Sequence, residues 1–143
     1  MTEHSAFASC LDKQAAIEKL FKDCANTDQK YQKIIILGRQ LNTFPPSHKT
    51  PDNIVQGCQS VMYLHTYLEN EKLRFIAHSE ALISAGLAAL LIMAYDQESP
   101  QVILKCPPRF LETIGIQGAL SPSRSNGLSS LFLMMKQKSL RFL

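Results

Sequence analysis

The chain has 143 residues, of which 45% are hydrophobic and 19% charged, the balance of a single soluble globular domain with a modest core. Its net charge of +3 is too small to point to a polyanionic partner. The longest apolar segment, Ala81 to Ala94, is interrupted by Ser84 and Gly86 and falls short of the roughly 20 residues that span a bilayer, so no membrane partner is expected.

Residues 1–12 are expected to form a flexible N-terminus that contains His4 and an exposed thiol, Cys10. Met1 to Cys10 holds Glu3 but no Lys or Arg, and no apolar run of the signal-peptide kind, so a cytoplasmic location is expected. The four cysteines Cys10, Cys24, Cys58 and Cys106 are widely spaced, which suits reduced thiols better than a disulfide framework. From Lys13 the chain reads as the folded domain, 13–143. Ile17, Leu20, Phe21 and Cys24 recur at i, i+3, i+4 and i+7, the stripe of an amphipathic helix with Cys24 in the core. Asn26 and Gln29 offer an N-cap and its reciprocal partner for a second helix, whose inward positions are Tyr31, Ile34, Ile35 and Leu41 and which Pro45 and Pro46 end.

After a polar loop, Val61–Leu68 and Leu73–Ser79 read as two strands joined by the turn ENEK. That turn sets Leu68 opposite Leu73 and His65 opposite Ile76. One face then carries Met62, Leu64, Leu68, Leu73, Phe75 and Ala77, and the other Tyr63, His65, Tyr67, Arg74 and His78. Ser79 is the expected N-cap of a helix through Tyr95 that is apolar nearly all round and therefore buried beneath the hairpin. Ser99 and Pro100 open a short helix, Arg109 to Ile114 forms another, and a last helix carries Leu128, Leu131, Phe132 and Met135. The expected class is α+β, a single domain with a small antiparallel β-sheet flanked by helices.

No Asp or Glu follows Glu112, whereas Arg124, Lys136, Lys138 and Arg141 do; four scattered charges read as a solvated helix face, and no nucleic-acid partner is expected. His65 and His78 share a sheet face but lack an evident carboxylate partner, and neither CxxC nor HExxH occurs. Cys58 stands apart. Gly57 permits a sharp turn beside it, and Asn53, Gln56, Gln59 and Ser60 surround it with hydrogen-bonding groups. Residue chemistry alone leaves a reactive and a structural role for that thiol equally open.

The segments TPDNIVQGCQS, YDQESPQ and SPSRSNGL, in that order and at these separations, resemble the SufE family of sulfur-acceptor proteins from about Lys13 onward. The resemblance implies an α+β fold and a loop cysteine, here Cys58, that takes persulfide sulfur from a PLP-dependent cysteine desulfurase of the SufS type, stimulates it, and delivers the sulfur to an iron–sulfur cluster scaffold of the SufBCD type. Such a protein is a transfer partner rather than an enzyme, and needs no cofactor or metal of its own, because the PLP chemistry belongs to the desulfurase. Gly57, Gln56, Gln59, Glu80 and Arg124 are the expected partner-contact or loop-positioning residues. Val61 and Tyr63 stand where the family commonly has glutamine and tryptophan, and Glu80 where it usually has aspartate.

Overall fold

In the computed structural model, which describes the backbone of residues 3–143 and the side chains of residues 6–143, the element order is helices, hairpin, helices. Helices α1 (Glu3–Phe21) and α2 (Thr27–Arg39) lead through two short 3-10 turns, Pro46–His48 and Pro51–Asn53, to strands β1 (Met62–Glu69) and β2 (Lys72–Ser79). Helix α3 (Leu82–Tyr95), the short helices α4 (Pro100–Lys105), α5 (Phe110–Thr113) and α6 (Ile116–Ala119), and the long helix α7 (Pro122–Leu140) follow. The class is α+β, as expected.

The hairpin has the register that its turn implies: Leu68 pairs with Leu73 and His65 with Ile76, antiparallel. Both turn residues, Asn70 and Glu71, have positive φ (53° and 66°), the hand that matches the twist of the flanking strands. Met62, Leu64, Leu73, Phe75 and Ala77 are buried on the inner face. Leu68, expected with them, is 42% exposed because it lies beside the turn, and Thr66 fills the intervening core position instead. Its Oγ1 has no hydrogen-bond partner among the described residues.

Helix α3 packs under that face, with Ala85 to Leu91, Ala94 and Tyr95 buried. Fully buried leucines such as Leu90 and Leu91 are worth about 1.5–3 kcal/mol each relative to exposure. Helix α2 crosses α3 at Gly86, where an added Cβ would lie 2.2 Å from the carbonyl oxygen of Ile34, so only glycine lets the two backbones meet. The sequence reading places the N-cap at Ser79. The helix instead starts at Leu82, because the Ser79 hydroxyl is taken up locally, accepting from the Ala81 N–H at 3.3 Å.

The N-terminal segment also differs from expectation. Helix α1 begins at Glu3 rather than after residue 12, and Cys10 is buried, not an exposed thiol. Its buried stripe is Cys10, Gln14, Ile17 and Phe21, so the apolar face starts two turns earlier than a count of aliphatic residues suggests. Gln14 belongs to that face because its amide is satisfied, donating to the Pro107 carbonyl at 3.1 Å and accepting from the Phe110 N–H at 3.3 Å. Leu20 is exposed, and Cys24, beyond the helix end, is only partly buried against the core. His4 lies outside the described side chains. At α2 the predicted cap is present: Asn26 Oδ1 accepts from the Gln29 N–H at 2.9 Å, and Gln29 Oε1 accepts from the Ala25 N–H at 2.6 Å.

Both edges of the hairpin are covered. The Val55 N–H donates to the Met62 carbonyl at 2.9 Å, and Ile54 bridges Tyr63, on the β1 side. On the β2 side, Gln97 N–H donates to the Leu73 carbonyl at 2.7 Å and Leu73 N–H to the Glu98 carbonyl at 2.8 Å. Asp96 fixes this strap, accepting from the Phe75 N–H at 2.8 Å and from Arg74 Nε at 3.1 Å, while Glu98 pairs with Lys13 at 2.5 Å. The YDQESPQ segment is therefore a structural brace for the sheet.

Candidate functional site

The chain between Val55 and Met62 is a loop laid against α7, and Cys58 sits within it. Gly57 has φ +90°, a conformation that L side chains rarely adopt, and a Cβ there would come within 2.5 Å of Ser130 Oγ on α7. One turn earlier on α7, Gly127 faces the thiol: Cys58 Sγ lies 3.8 Å from its carbonyl oxygen, the acceptor for the S–H. The helix thus meets the loop through a glycine, which admits the thiol, and a serine, which closes on Gly57.

Beside the thiol opens a cavity of 380 Å³. Cys58, Gln59 and Ser60 form its loop wall, Ser123, Arg124 and Gly127 its α7 wall, and Ile35, Met62, Leu87, Leu128 and Leu131 its apolar lining. Neither a histidine nor a carboxylate lines it among the described residues. Cys58 is partly buried, and that burial pushes its thiol above the ordinary value of 9.0, so the resting sulfur is a neutral S–H. An exposed apolar side chain, Leu82 at 52%, stands at the cavity.

Of the residues expected around Cys58, Gln59 and Arg124 join it at the cavity and Gly57 shapes its loop. Arg124 is exposed on the first turn of α7, with its guanidinium carbon 5.8 Å from the Tyr31 ring centroid. That ring is fixed by its hydroxyl, which donates to the Ala119 carbonyl at 2.5 Å. Ser121 caps the helix, its Oγ accepting from the Arg124 N–H at 3.4 Å. Gln56 and Glu80 lie elsewhere. Gln56 borders a hollow with Asp52, Ser130, Lys138 and Arg141, and Glu80 borders another with Lys49, Tyr63 and His78, which shares Ser60 and Ala81 with the cavity of the thiol.

Sequence reasoning missed Gly127 and Ser123. Gly127 left a trace, since a glycine inside a helix costs about 1 kcal/mol relative to alanine and invites a packing reason. Also missed was the stacking of His48 on His65, with centroids 3.7 Å apart and planes 11° from parallel. Burial, then His48 and Lys138, hold His65 below the ordinary histidine value of 6.5. The other buried thiols are less acidic still or equally inert: burial takes Cys10 up to about 12, and raises Cys106 as well. Gln14 lies between those two sulfurs, at 3.6 Å and 3.8 Å.

Among solved structures, the solution structure of a hypothetical protein from Thermus thermophilus matches with a TM-score of 0.75 at 24% identity, covering 91% of this chain and 95% of that one; it supports the fold. An uncharacterized SufE-like protein of Synechocystis is 34% identical across 90% of this chain and 80% of its own length. The cysteine desulfuration protein SufE of Wigglesworthia glossinidia brevipalpis is 33% identical across 85% of each. The chloroplastic/mitochondrial SufE-like protein 1 of Arabidopsis thaliana is 33% identical across 87% of this chain but 34% of its own length. The family model described as "SufE: Fe-S metabolism associated domain" matches residues 15–139. With that match across most of its length, and relatives above 30% identity, the chain belongs to the SufE family.

Proposed function

We propose that this protein accepts sulfur on Cys58 from the persulfide of a PLP-dependent cysteine desulfurase, stimulates that enzyme by clearing it, and passes the sulfur to an iron–sulfur cluster scaffold of the SufBCD type. Membership of the SufE family, and relatives named as cysteine desulfuration proteins, support a sulfur-transfer role in iron–sulfur metabolism. The observation that carries the reading is the placing of Cys58: a neutral thiol on a glycine-started loop, over a cavity with no histidine or carboxylate lining it among the described residues. A thiol hydrolase needs a base directed at its sulfur, and this lining supplies none. A carrier needs only to lose its proton when it meets its donor.

The step balances without a net oxidant. The Cys58 thiolate attacks the terminal sulfur of the donor's persulfide, a new S–S bond forms on Cys58, the donor's S–S bond breaks, and the donor cysteine leaves as thiolate. Burial keeps the resting thiol protonated and away from small oxidants, and displacement of the loop restores its reactivity on the partner. Leu82 at the cavity offers apolar contact to that partner, and Arg124 a charge. The four free thiols suit a reducing compartment, in line with a cytoplasmic location.

The test uses the desulfurase, PLP, free cysteine and the purified chain. Wild type gains the mass of at least one sulfur atom, reductant removes it, and peptide mapping places it on the fragment with IVQGCQS. Cys58→Ser melts like wild type but takes up no transferable sulfur. Sustained stimulation by Cys58→Ser, together with its loss in Cys10→Ser or Cys106→Ser, would sink the assignment.

A further inference from the structure

Resting on the sulfur-acceptor reading, we infer that Gly127 is a positioning residue for the loaded state: its missing side chain leaves Cys58 room to carry a second sulfur while the loop stays seated on α7. Gly127 lies in the interior of α7, where helix propensity alone favours alanine. A Cβ built there meets Cys58 Sγ at 3.5 Å and nothing else within 4 Å. That is ordinary van der Waals contact, so an alanine accommodates the bare thiol. A persulfide adds a sulfur about 2.05 Å beyond Sγ, and an approach already at contact distance has no space for it on that side.

The other walls make this flank matter. The Gly127 carbonyl is 3.8 Å from Sγ, so the added sulfur cannot lie along that line without collision and turns into the cavity that Cys58 and Gly127 line together, where Gly127 presents no side chain to narrow the way. Gly57 seats the loop on the same helix one turn further along, close against Ser130, so the thiol is held beside Gly127 while the loop is in place. A methyl at position 127 therefore discriminates between two states of one cysteine. It is neutral toward the thiol and unfavourable toward the persulfide, and it shifts the loaded protein toward conformers in which the loop has left the helix.

The experiment compares wild type with Gly127→Ala, each loaded by desulfurase, PLP and cysteine and then freed of them. Cyanide, which takes the terminal sulfur as thiocyanate and leaves the Cys58 thiolate, reports exposure of the persulfide. Iodoacetamide on unloaded protein reports exposure of the thiol, and a thermal melt reports the fold. The expected result is cyanolysis at least about tenfold faster in loaded Gly127→Ala than in loaded wild type, the scale of overpacking by one methyl, with thiol alkylation within about twofold and a melting temperature no lower. Failure of Gly127→Ala to load, with thiol alkylation and melting as in wild type, supports the same conclusion. Equal cyanolysis rates, or alkylation accelerated as much as cyanolysis, or a lowered melt, overturns it. If wild type itself takes up no sulfur, the sulfur-acceptor reading fails and this inference with it, whereas equal rates in two loaded proteins remove Gly127 alone.

Discussion

Lys138 Nζ donates to Asn53 Oδ1 at 2.6 Å, a buried contact between the last helix and the turn that precedes the cysteine loop. Asn53 in turn donates from Nδ2 to the His48 carbonyl at 2.7 Å. One amide thus spans the 46–53 turns and offsets part of the desolvation that, with the nearby Arg141, holds the Lys138 ammonium below its ordinary 10.5. Asn53→Ala, which strands the charge, is expected to cost about 2–3 kcal/mol, more than Lys138→Met, which removes the charge and keeps the stem. Urea unfolding of both, and of the double variant, checks the order; equal costs mean that the contact is incidental.

Acid should loosen the same region through His65. Its folded value lies below 6.5, so the folded state binds the proton less readily than the unfolded chain. The stability is present above pH 6.5 and is lost as pH falls through the lowered folded value. His65→Phe keeps a ring on His48 but has no proton to take up. The difference in urea midpoint between about pH 7.5 and about pH 5 should therefore shrink in that variant. An unchanged difference assigns the acid sensitivity to other groups.

Gly57→Ala carries two separable costs, the positive φ and the collision with Ser130 Oγ. The variant is expected to lose about 1–2 kcal/mol. Adding Ser130→Ala removes the hydroxyl and should recover part of the loss, with the backbone share remaining. Chemical denaturation of the single and double variants measures both shares, and no recovery at all means that the loop has already moved off α7.

For Arg124, exposed at the cavity rim and without a carboxylate partner among the described ion pairs, Arg124→Ala should change stability by less than about 0.5 kcal/mol yet weaken stimulation of the desulfurase. A titration curve identical to wild type removes it from the interface. Glu80→Lys should lower apparent affinity for the desulfurase more than it lowers the melting temperature. The reverse ranking makes Glu80 a structural charge of the β2–α3 connection.

Thr66→Val is the counter-case, a substitution expected to stabilise. It replaces an unpartnered buried hydroxyl by a methyl of the same shape opposite Phe75, and should raise stability by about 1 kcal/mol. A loss of stability in denaturant reveals a bound water on Oγ1.

Where local chemistry decides, the sequence was readable. The hairpin register followed from the turn ENEK between alternating runs, the α2 cap from Asn26 and Gln29, and the buried α3 from a composition that is apolar nearly all round. Errors arose where a polar or sulfur-bearing side chain is satisfied by a distant partner. Cys10 reads as solvent-facing because Ala94, whose carbonyl accepts its S–H, lies more than eighty positions away, and Gln14 stays outside the apolar stripe because Pro107 and Phe110, which satisfy its amide, are as distant. The same limit hid half of the site: Cys58 and Gly57 announce a loop, but Gly127 and Ser130, against which that loop rests, belong to another element whose approach no local pattern records. Gln56 and Glu80 were named beside the thiol by nearness in sequence and by family likeness; the fold sets Gln56 on another hollow and Glu80 on one that adjoins the cavity through Ser60 and Ala81.

The pinning of Val55 to Met62 fixes how far the thiol can travel. Because that backbone bond and the Ile54–Tyr63 bridge belong to the sheet, displacement of the loop need involve only residues 56–61. Cys58 is three positions from the Val55 anchor, so a fully extended tether lets its backbone reach about 10 Å from the sheet edge. Under the proposed acceptor role this length is a ruler for the donor: a desulfurase whose persulfide lies at the bottom of a shallower cleft can be served with the body of the protein unchanged. One whose sulfur lies deeper must bring it outward, or break the edge bridge to lengthen the reach.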